Sequence, residues 1–265
     1  MDFSGIIEVM TIENSQLFGA DKIAFIHVPK TGGSSMRAFW VDLFGPDQVI
    51  RYSIDTGWFH RMSDRWIIPR TNPAVYLIRN ILVNHEAGRQ VLKFVRTLER
   101  VKSMAKAFDK LPDDFRVVHG HFSPSFIRGR LPELRLTTVI RDPLERTISG
   151  YFFLEKMAKH KNIKLPPWYK KGMGLEAFAF LPEMVNYQFN FIEGDLSVFD
   201  LIGTTPYLEC FCRHFDPNGT IPIPWLNDTD RPKLTLSADF LSRFRKTNAD
   251  DYALYEEATR IALSR

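Results

Sequence analysis

The stretch Phe25-Ile26-His27-Val28-Pro29-Lys30-Thr31-Gly32-Gly33-Ser34-Ser35 decides how this chain is read. An apolar, β-branched run from Ile23 to Val28 stops at a proline. A lysine, a threonine, two glycines and two serines follow before a helix-like pattern begins. That order predicts a strand, a tight turn and a helix N-terminus. The free N–H groups and the positive dipole end of such a terminus make a ready anion site. Gly32 and Gly33 let the backbone approach the anion closely, and Lys30 adds a full charge beside it. Lys30 precedes the glycines, so the turn is not the common ATP/GTP loop, G-x-x-x-x-G-K-S/T. A dinucleotide fingerprint is also absent at this point. The plainer alternative is an ordinary strand-to-helix turn with glycine for geometry.

A second unit of the same kind runs from Leu136 to Tyr151. Leu136 to Ile140 is a short β-branched run, readable as a buried strand. Asp142 followed by Pro143 is a capping side chain and then a proline at the first helical position. Arg141 therefore falls at the strand's C-terminal end, and Ser149 lies about two turns into the helix at ~3.6 residues per turn. An arginine fork and a hydroxyl there can converge on a second phosphate. The alternatives are an ion pair of Arg141 with Asp142 or Glu145, and a small Ser149 packed between helix and sheet. Arg146 reads as neutralising a helix face or pairing with Glu145 or Asp142.

Phe115 to Val118 reads as a strand leading into His119-Gly120-His121. Residues i and i+2 of a strand share a face, so both rings reach one site if the strand continues. An imidazole, with an unperturbed pKa near ~6.5, suits a general base at neutral pH. The alternative is one histidine bonded in the core and one at the surface. His27, at the end of the first apolar run, reads as a satisfied core histidine.

Taken together, the Lys30 turn and the Arg141-Asp142-Pro143-x-x-Arg146-x-x-Ser149-x-Tyr151 segment resemble the sulfotransferases that use 3′-phosphoadenosine 5′-phosphosulfate (PAPS). The closest similarity is to the branch containing heparan sulfate 2-O-sulfotransferase and the chondroitin/dermatan enzymes. The resemblance covers roughly residues 22 to 260 with gaps, and also rests on His119-Gly120-His121, on Asn186-Tyr187-Gln188 and on Leu201 to Thr205. It implies that Lys30, Thr31, Gly32, Gly33, Ser34 and Ser35 hold the 5′-phosphosulfate, with Lys30 also neutralising the leaving phosphate. It implies that Arg141 and Ser149 hold the 3′-phosphate. His119 would be the catalytic base, with His121 assisting, and a late lid within 225–236 would bring Lys233 and Thr235, with Arg231 a further candidate. PAPS is then the co-substrate, 3′,5′-adenosine bisphosphate (PAP) the product, and no metal is required. The implied reaction is in-line transfer of a sulfonate to an acceptor hydroxyl, of a carbohydrate. The rivals are an atypical nucleotide kinase, for which no carboxylate motif is evident, and a non-catalytic nucleotide or anionic-glycan binding module. The acceptor itself is beyond the reach of sequence, because acceptor loops vary on a shared scaffold.

Composition agrees with one α/β domain over residues 1–265. The 265 residues, 45% hydrophobic with 22 Phe, are enough for a sizeable core. A net charge of +4 suits an anionic substrate without calling for nucleic acid. Lys156, Lys159, His160, Lys161, Lys164, Lys170 and Lys171 crowd one stretch, either an edge gripping an acidic glycan or a solvated basic face. Cys210 and Cys212 are too close in sequence for an ordinary bridge and have no zinc-ligand spacing. Residues 1–20 lack a basic region followed by an apolar core, and no run reaches the ~18 apolar residues of a membrane span. The expectation is a soluble, cytoplasmic chain, with the Golgi lumen of the anchored animal relatives only if it is a piece of a longer protein.

The predicted fold is a mostly parallel sheet flanked by helices, with a P-loop-like phosphosulfate-binding strand, loop and helix. The donor would lie at the carboxyl ends of the strands. The first helix is expected from Gly33 or Ser34 to Phe44, and residues 52–75 read as loop with short elements. The region 52–110 matches the family poorly and reads as an insertion, helical over 86–108. The apolar stripe of that helix serves the core or a homo-oligomer contact. Residues 174–192 read as a helical region, and 238–262 as one or two helices.

Overall fold

A computed structural model describes residues 21–53, 58–62, 106, 108–160, 165–166, 168–224, 232 and 234–264. Strand β1 (Ile23–Ile26) leads into helix α1 (Gly33–Phe44), then β2 (Val49–Ser53) and β3 (Trp58–Arg61). After them come β4 (Val117–Gly120), α2 (Pro124–Arg130), β5 (Arg135–Ile140) and α3 (Pro143–Ala158). Two short helices, α4 (Leu175–Ala179) and α5 (Tyr187–Phe191), precede β6 (Leu201–Thr204) and a single 3-10 turn. Helices α6 (Leu208–Arg213), α7 (Ala238–Thr247) and α8 (Ala249–Ser264) close the chain.

The six strands form one sheet in the order β3-β2-β4-β1-β5-β6. All neighbours pair parallel except β2 and β3, which make an antiparallel edge. The expected α/β fold with a mostly parallel sheet is therefore what forms. β1 is central and entirely buried, as a strand covered on both faces must be. Its side chains alternate between two cores. Ile23 and Phe25 join Met36, Phe39 and Trp40 of α1 and Leu208, Phe211 and Cys212 of α6. Ala24 and Ile26 join Ile127 of α2 and Leu254 and Ala258 of α8 on the other face.

Helix starts follow the local chemistry. The Asp142 side chain accepts the Glu145 N–H at 2.9 Å, with Pro143 in the first turn of α3. Ser123 and Ser237 cap α2 and α7 in the same way. Helix α1 stops at Gly45, whose φ of 86° lies in the left-handed region.

Two expectations gain detail, and two fall largely outside the described residues. The segment beginning at Tyr52, expected as loop with short elements, includes part of β2 and all of β3, which form a hairpin on the edge of the sheet. The helical region expected over 174–192 is two short helices: a turn beginning at Phe180 separates α4 from α5, and Asn186 takes a φ of 46° before α5. Asn186 is held there from the α7–α8 junction: its N–H donates to Asn248 Oδ1 at 2.9 Å and its side-chain amide to Asp250 at 2.7 Å. Of the helix expected over 86–108 only Lys106 and Phe108 fall among the described residues, and Phe108 enters the core. Residues 225–231 and Lys233 of the expected lid also lie outside them. No helix among the described residues is long and apolar enough to cross a membrane.

Asp200, just before β6, ties the start of that strand to β5 and to helix α2. It accepts the Leu136 N–H at 2.8 Å and pairs with Arg128 at 2.9 Å and Arg135 at 3.0 Å. Partial burial works against its charge, but these donors hold its carboxyl below the usual aspartate range. A depressed pKa adds stability above the unfolded value near ~3.9 that is lost as pH falls. Asp200→Asn is expected to cost about 1–2 kcal/mol at neutral pH, after allowing for the exposure of both arginines. In urea melts that difference should shrink below pH ~4; a constant difference would show that the charge does not matter.

Candidate active site

The turn after β1 is built on two left-handed residues. Lys30 takes a φ of 75° and Gly32 a φ of 88°. Gly32 is the residue flanking α1, and no side chain caps that helix end. Its first turn also carries no acidic residue, so no carboxylate of that turn competes for the amides of Gly33, Ser34 and Ser35. The Thr31 hydroxyl turns inward and donates to the Val28 carbonyl at 2.8 Å, which closes the turn from inside. Lys30 Nζ lies 4.3 Å from the centre of the Phe153 ring on α3, a cation–π contact that places the ammonium beside the second unit.

The two units touch directly. Arg141 Nη1 donates to the Lys30 carbonyl at 3.3 Å and Arg146 Nε to the Pro29 carbonyl at 3.4 Å. Arg141 also pairs with Glu145 at 3.2 Å, so the expected ion pair and the reach to the turn coexist. Gln188 clamps the backbone of Arg141 from both sides, its Oε1 accepting the N–H at 3.0 Å and its Nε2 donating to the carbonyl at 2.7 Å. That is the role of the Asn-x-Gln element: Gln188 positions Arg141, and Asn186 anchors the segment to α8. Arg146 corrects its sequence reading. It is 3% exposed and lies over the Tyr187 ring at 3.5 Å rather than on a helix surface.

On the α1 side of the sheet, three imidazoles converge. Strand alternation carries Phe25 to His27 and Val117 to His119 and His121, and register sets Phe25 opposite His119. β4 ends at Gly120, yet His121 remains in the cluster. His119 Nε2 is 3.3 Å from His27 Nδ1, and His121 Nδ1 is 2.6 Å from the His27 carbonyl. A carbonyl only accepts, so His121 carries its proton on Nδ1, and the lone pair of the neutral ring belongs to Nε2. His119 is 2% exposed, stacks on Phe25, and its Nδ1 is buried without a hydrogen-bond partner. Burial, then the neighbouring histidines with Arg37 and Arg51, hold His27 well below the ordinary imidazole pKa. Burial, then His121, Arg37 and Arg51, do the same for His119. His27 is thus part of the cluster, not a core histidine apart from it. Its signal was present in the sequence: it continues the Phe25 face by two residues.

The remaining expected residues are distributed as follows. Ser149 stands on α3, 8% exposed. Ser35 is 4% exposed at the start of α1, and Ser34 is partly exposed. Thr235 is exposed on the segment leading into α7. Lys156, Lys159, His160, Lys170 and Lys171 are exposed at and beyond the C-terminal end of α3. A cavity of about 220 Å³ lies elsewhere, between α1 and α6, lined by Phe39, Cys212, Arg213 and Asp216 and by none of the turn residues. Among the described residues no group of three or more His, Cys, Asp or Glu side chains is placed to hold a metal.

A protein-family model described as "Sulfotransferase family" matches residues 16–187. That span includes the Lys30 turn, the three histidines, Arg141 and Ser149. No curated protein matches the chain.

Two predictions follow from the cluster. A Cβ on Gly33 would lie 1.8 Å from His27 Nε2, so the missing side chain is what admits the imidazole. Gly33→Ala should cost about 1–3 kcal/mol. In a double-mutant cycle with His27→Ala the two losses should sum to more than the double variant shows, because the smaller residue relieves the clash; strict additivity would refute the contact. The depressed pKa values of His27 and His119 give a pH dependence of definite sign. Below the unfolded pKa near ~6.5 the unfolded chain binds protons that the native chain refuses. Stability should therefore fall as pH drops from there, by up to about 1.4 kcal/mol per pH unit for each histidine. His119→Gln should remove its share of that slope in denaturant titrations between pH ~7.5 and ~5.5.

Proposed function

From the premise that the chain belongs to the sulfotransferase family, we propose that it moves a sulfonate from PAPS to an acceptor hydroxyl of a carbohydrate. The single observation that supports this most is the direct contact between the two anion-binding units, Arg141 reaching the Lys30 carbonyl at 3.3 Å. One donor with phosphates at both ends of an adenosine then meets the uncapped start of α1 and the end of β5 together. Both loops stand at the carboxyl ends of β1 and β5, where open α/β sheets take ligands.

Each residue has a task in this reading. Lys30 and the amides from Thr31 to Ser35 hold the 5′-phosphosulfate, and Lys30 neutralises the charge that grows on the departing phosphate. Arg141 and Ser149 hold the 3′-phosphate, with Lys233 and Thr235 as lid groups. A histidine takes the acceptor proton as the acceptor oxygen bonds to sulfur and the sulfur–phosphate bridge breaks. Of the pair, His121 is the better placed, since it is the more exposed and its Nδ1 is already committed to the His27 carbonyl. His119 stands behind it. The exposed lysines beyond α3 suit an acidic glycan, and the chemistry assigned to these residues needs no metal.

The test is a labelled-sulfonate transfer assay from PAPS over a panel of uronate-bearing and neutral glycans, with and without chelator. His121→Ala should lower transfer by ~100-fold or more, and Lys30→Ala by a similar factor. Arg141→Ala should weaken PAP binding by roughly 10-fold or more, the worth of a charge-assisted contact. Wild-type PAP affinity in Arg141→Ala would sink the donor site. PAP binding with no transfer to any glycan would leave a binding module, and turnover of ATP in place of PAPS a kinase.

A further inference from the structure

We propose that His27 is a positioning residue that couples the donor turn to the histidine base, holding both His119 and His121 through two different atoms. This deepens the reading above and rests on it for its catalytic meaning.

The side chain and the main chain of His27 act separately. The ring Nδ1 meets His119 Nε2 at 3.3 Å, and the rings lie 5.0 Å apart. The carbonyl takes the His121 Nδ1 proton at 2.6 Å, and the His27 ring stacks on His121 at 4.5 Å and 28°. A third contact faces the other way: the ring fills the space that a side chain on Gly33 would need. Gly33 is the first residue of α1, and its N–H belongs to the anion-binding terminus. The backbone N–H of His27 donates to the Gly120 carbonyl at 2.8 Å, which continues the β1–β4 ladder and fixes the residue on which all three contacts depend.

The consequence is a defined protonation pattern. With His121 Nδ1–H held by a carbonyl, the neutral ring presents its lone pair on Nε2, and the cation formed on proton uptake keeps the same hydrogen bond. His119 and His27 share one proton between Nε2 and Nδ1. The charged groups facing the cluster are Arg37 from α1 and Arg51 from β2, both of which disfavour a second cation there. A neutral, ordered base is the state that general-base transfer needs.

The experiment compares wild type, His27→Phe and His27→Asn in the full chain. Phenylalanine keeps the ring and its stacking but removes both nitrogens. Asparagine restores a hydrogen-bonding group near the place of Nδ1. The first readout needs no activity: long-range 1H–15N spectra of imidazole-labelled protein report which nitrogen of each histidine is protonated. The expected wild-type pattern is Nδ1–H for His121, with the His119 signals altered in His27→Phe and restored towards wild type in His27→Asn. The second readout is kinetic. His27→Phe should lower kcat on the order of 10-fold, part of the ~100- to 10,000-fold that a positioned base supplies. PAP affinity and donor KM should stay within about twofold, with His27→Asn recovering most of the rate. A wild-type His121 carrying its proton on Nε2 overturns the proposal by itself, even if His27→Phe does not fold. Unchanged His119 signals in a folded His27→Phe also overturn it. A loss of PAP affinity equal to the loss of rate overturns it too, by placing His27 in the donor pocket. If wild type transfers nothing while the tautomer pattern holds, the functional reading has failed and the positioning geometry has not.

Discussion

Two backbone carbonyls, those of Pro29 and Lys30, are each met by an arginine from the neighbouring strand-to-helix unit, and the site depends on that clasp. Lys30 is a non-glycine residue with a φ of 75°, a conformation that costs of order 1–3 kcal/mol and persists only where its surroundings over-determine it. Arg146 and Arg141 supply that constraint from one side, and the Thr31 hydroxyl on Val28 supplies it from the other. Arg146 is nearly buried, and an uncompensated buried cation would be prohibitive. Burial holds the Arg146 pKa below the usual arginine value, and the Tyr187 ring at 3.5 Å and the charge of Asp251 offset part of that cost. Asp251 in turn accepts the Phe189 N–H at 2.7 Å, so α5, α8 and the turn form one connected set.

The same turn orients the sheet's other functional edge. Because successive strand residues alternate, the face that gives Phe25 and Val117 to the α1 core must give His27, His119 and His121 to its upper rim. Helix α1 begins directly over that rim, at a glycine that leaves room for the His27 ring. The proposed anion site and the proposed base are thus adjacent for a geometric reason: one is the start of the helix, and the other is the end of the face which that helix covers. Burial then keeps the inner imidazoles neutral, which preserves the cluster at neutral pH and weakens it in acid.

Much of this was legible beforehand, and the failures have physical causes. The strand–turn–helix units were readable because proline, glycine and an Asp-Pro cap are local signals that act over a few residues. Arg146 was misjudged because its partners, Pro29, Met184 and Tyr187, are distant in sequence. Gln188 could be noted as part of a motif, but its clamp on the Arg141 backbone needed the fold. The short elements expected after Tyr52 could not be read as a paired hairpin, because polar and charged residues interrupt a short edge strand that is not apolar throughout. His27 was set aside because a lone histidine after an apolar strand is ordinarily part of a core. Only the neighbouring strand gives it partners.

By itself the sequence determined the class of fold, the two strand-to-turn-to-helix units, and helix ends such as those of α1 and the start of α3, since each depends on backbone preferences of adjacent residues. The tertiary structure alone decided which groups meet: Arg141 with the Lys30 carbonyl, Gln188 with Arg141, and His27 with both histidines and Gly33. The contacts of Arg141 with Lys30 and of His27 with the other two histidines join residues that the strand order β4-β1-β5 brings side by side, and Gln188 reaches Arg141 from α5. No local preference encodes a neighbour some 90 or 110 positions away. Burial of both sheet faces does, because it fixes register, and register fixes which side chains share a rim.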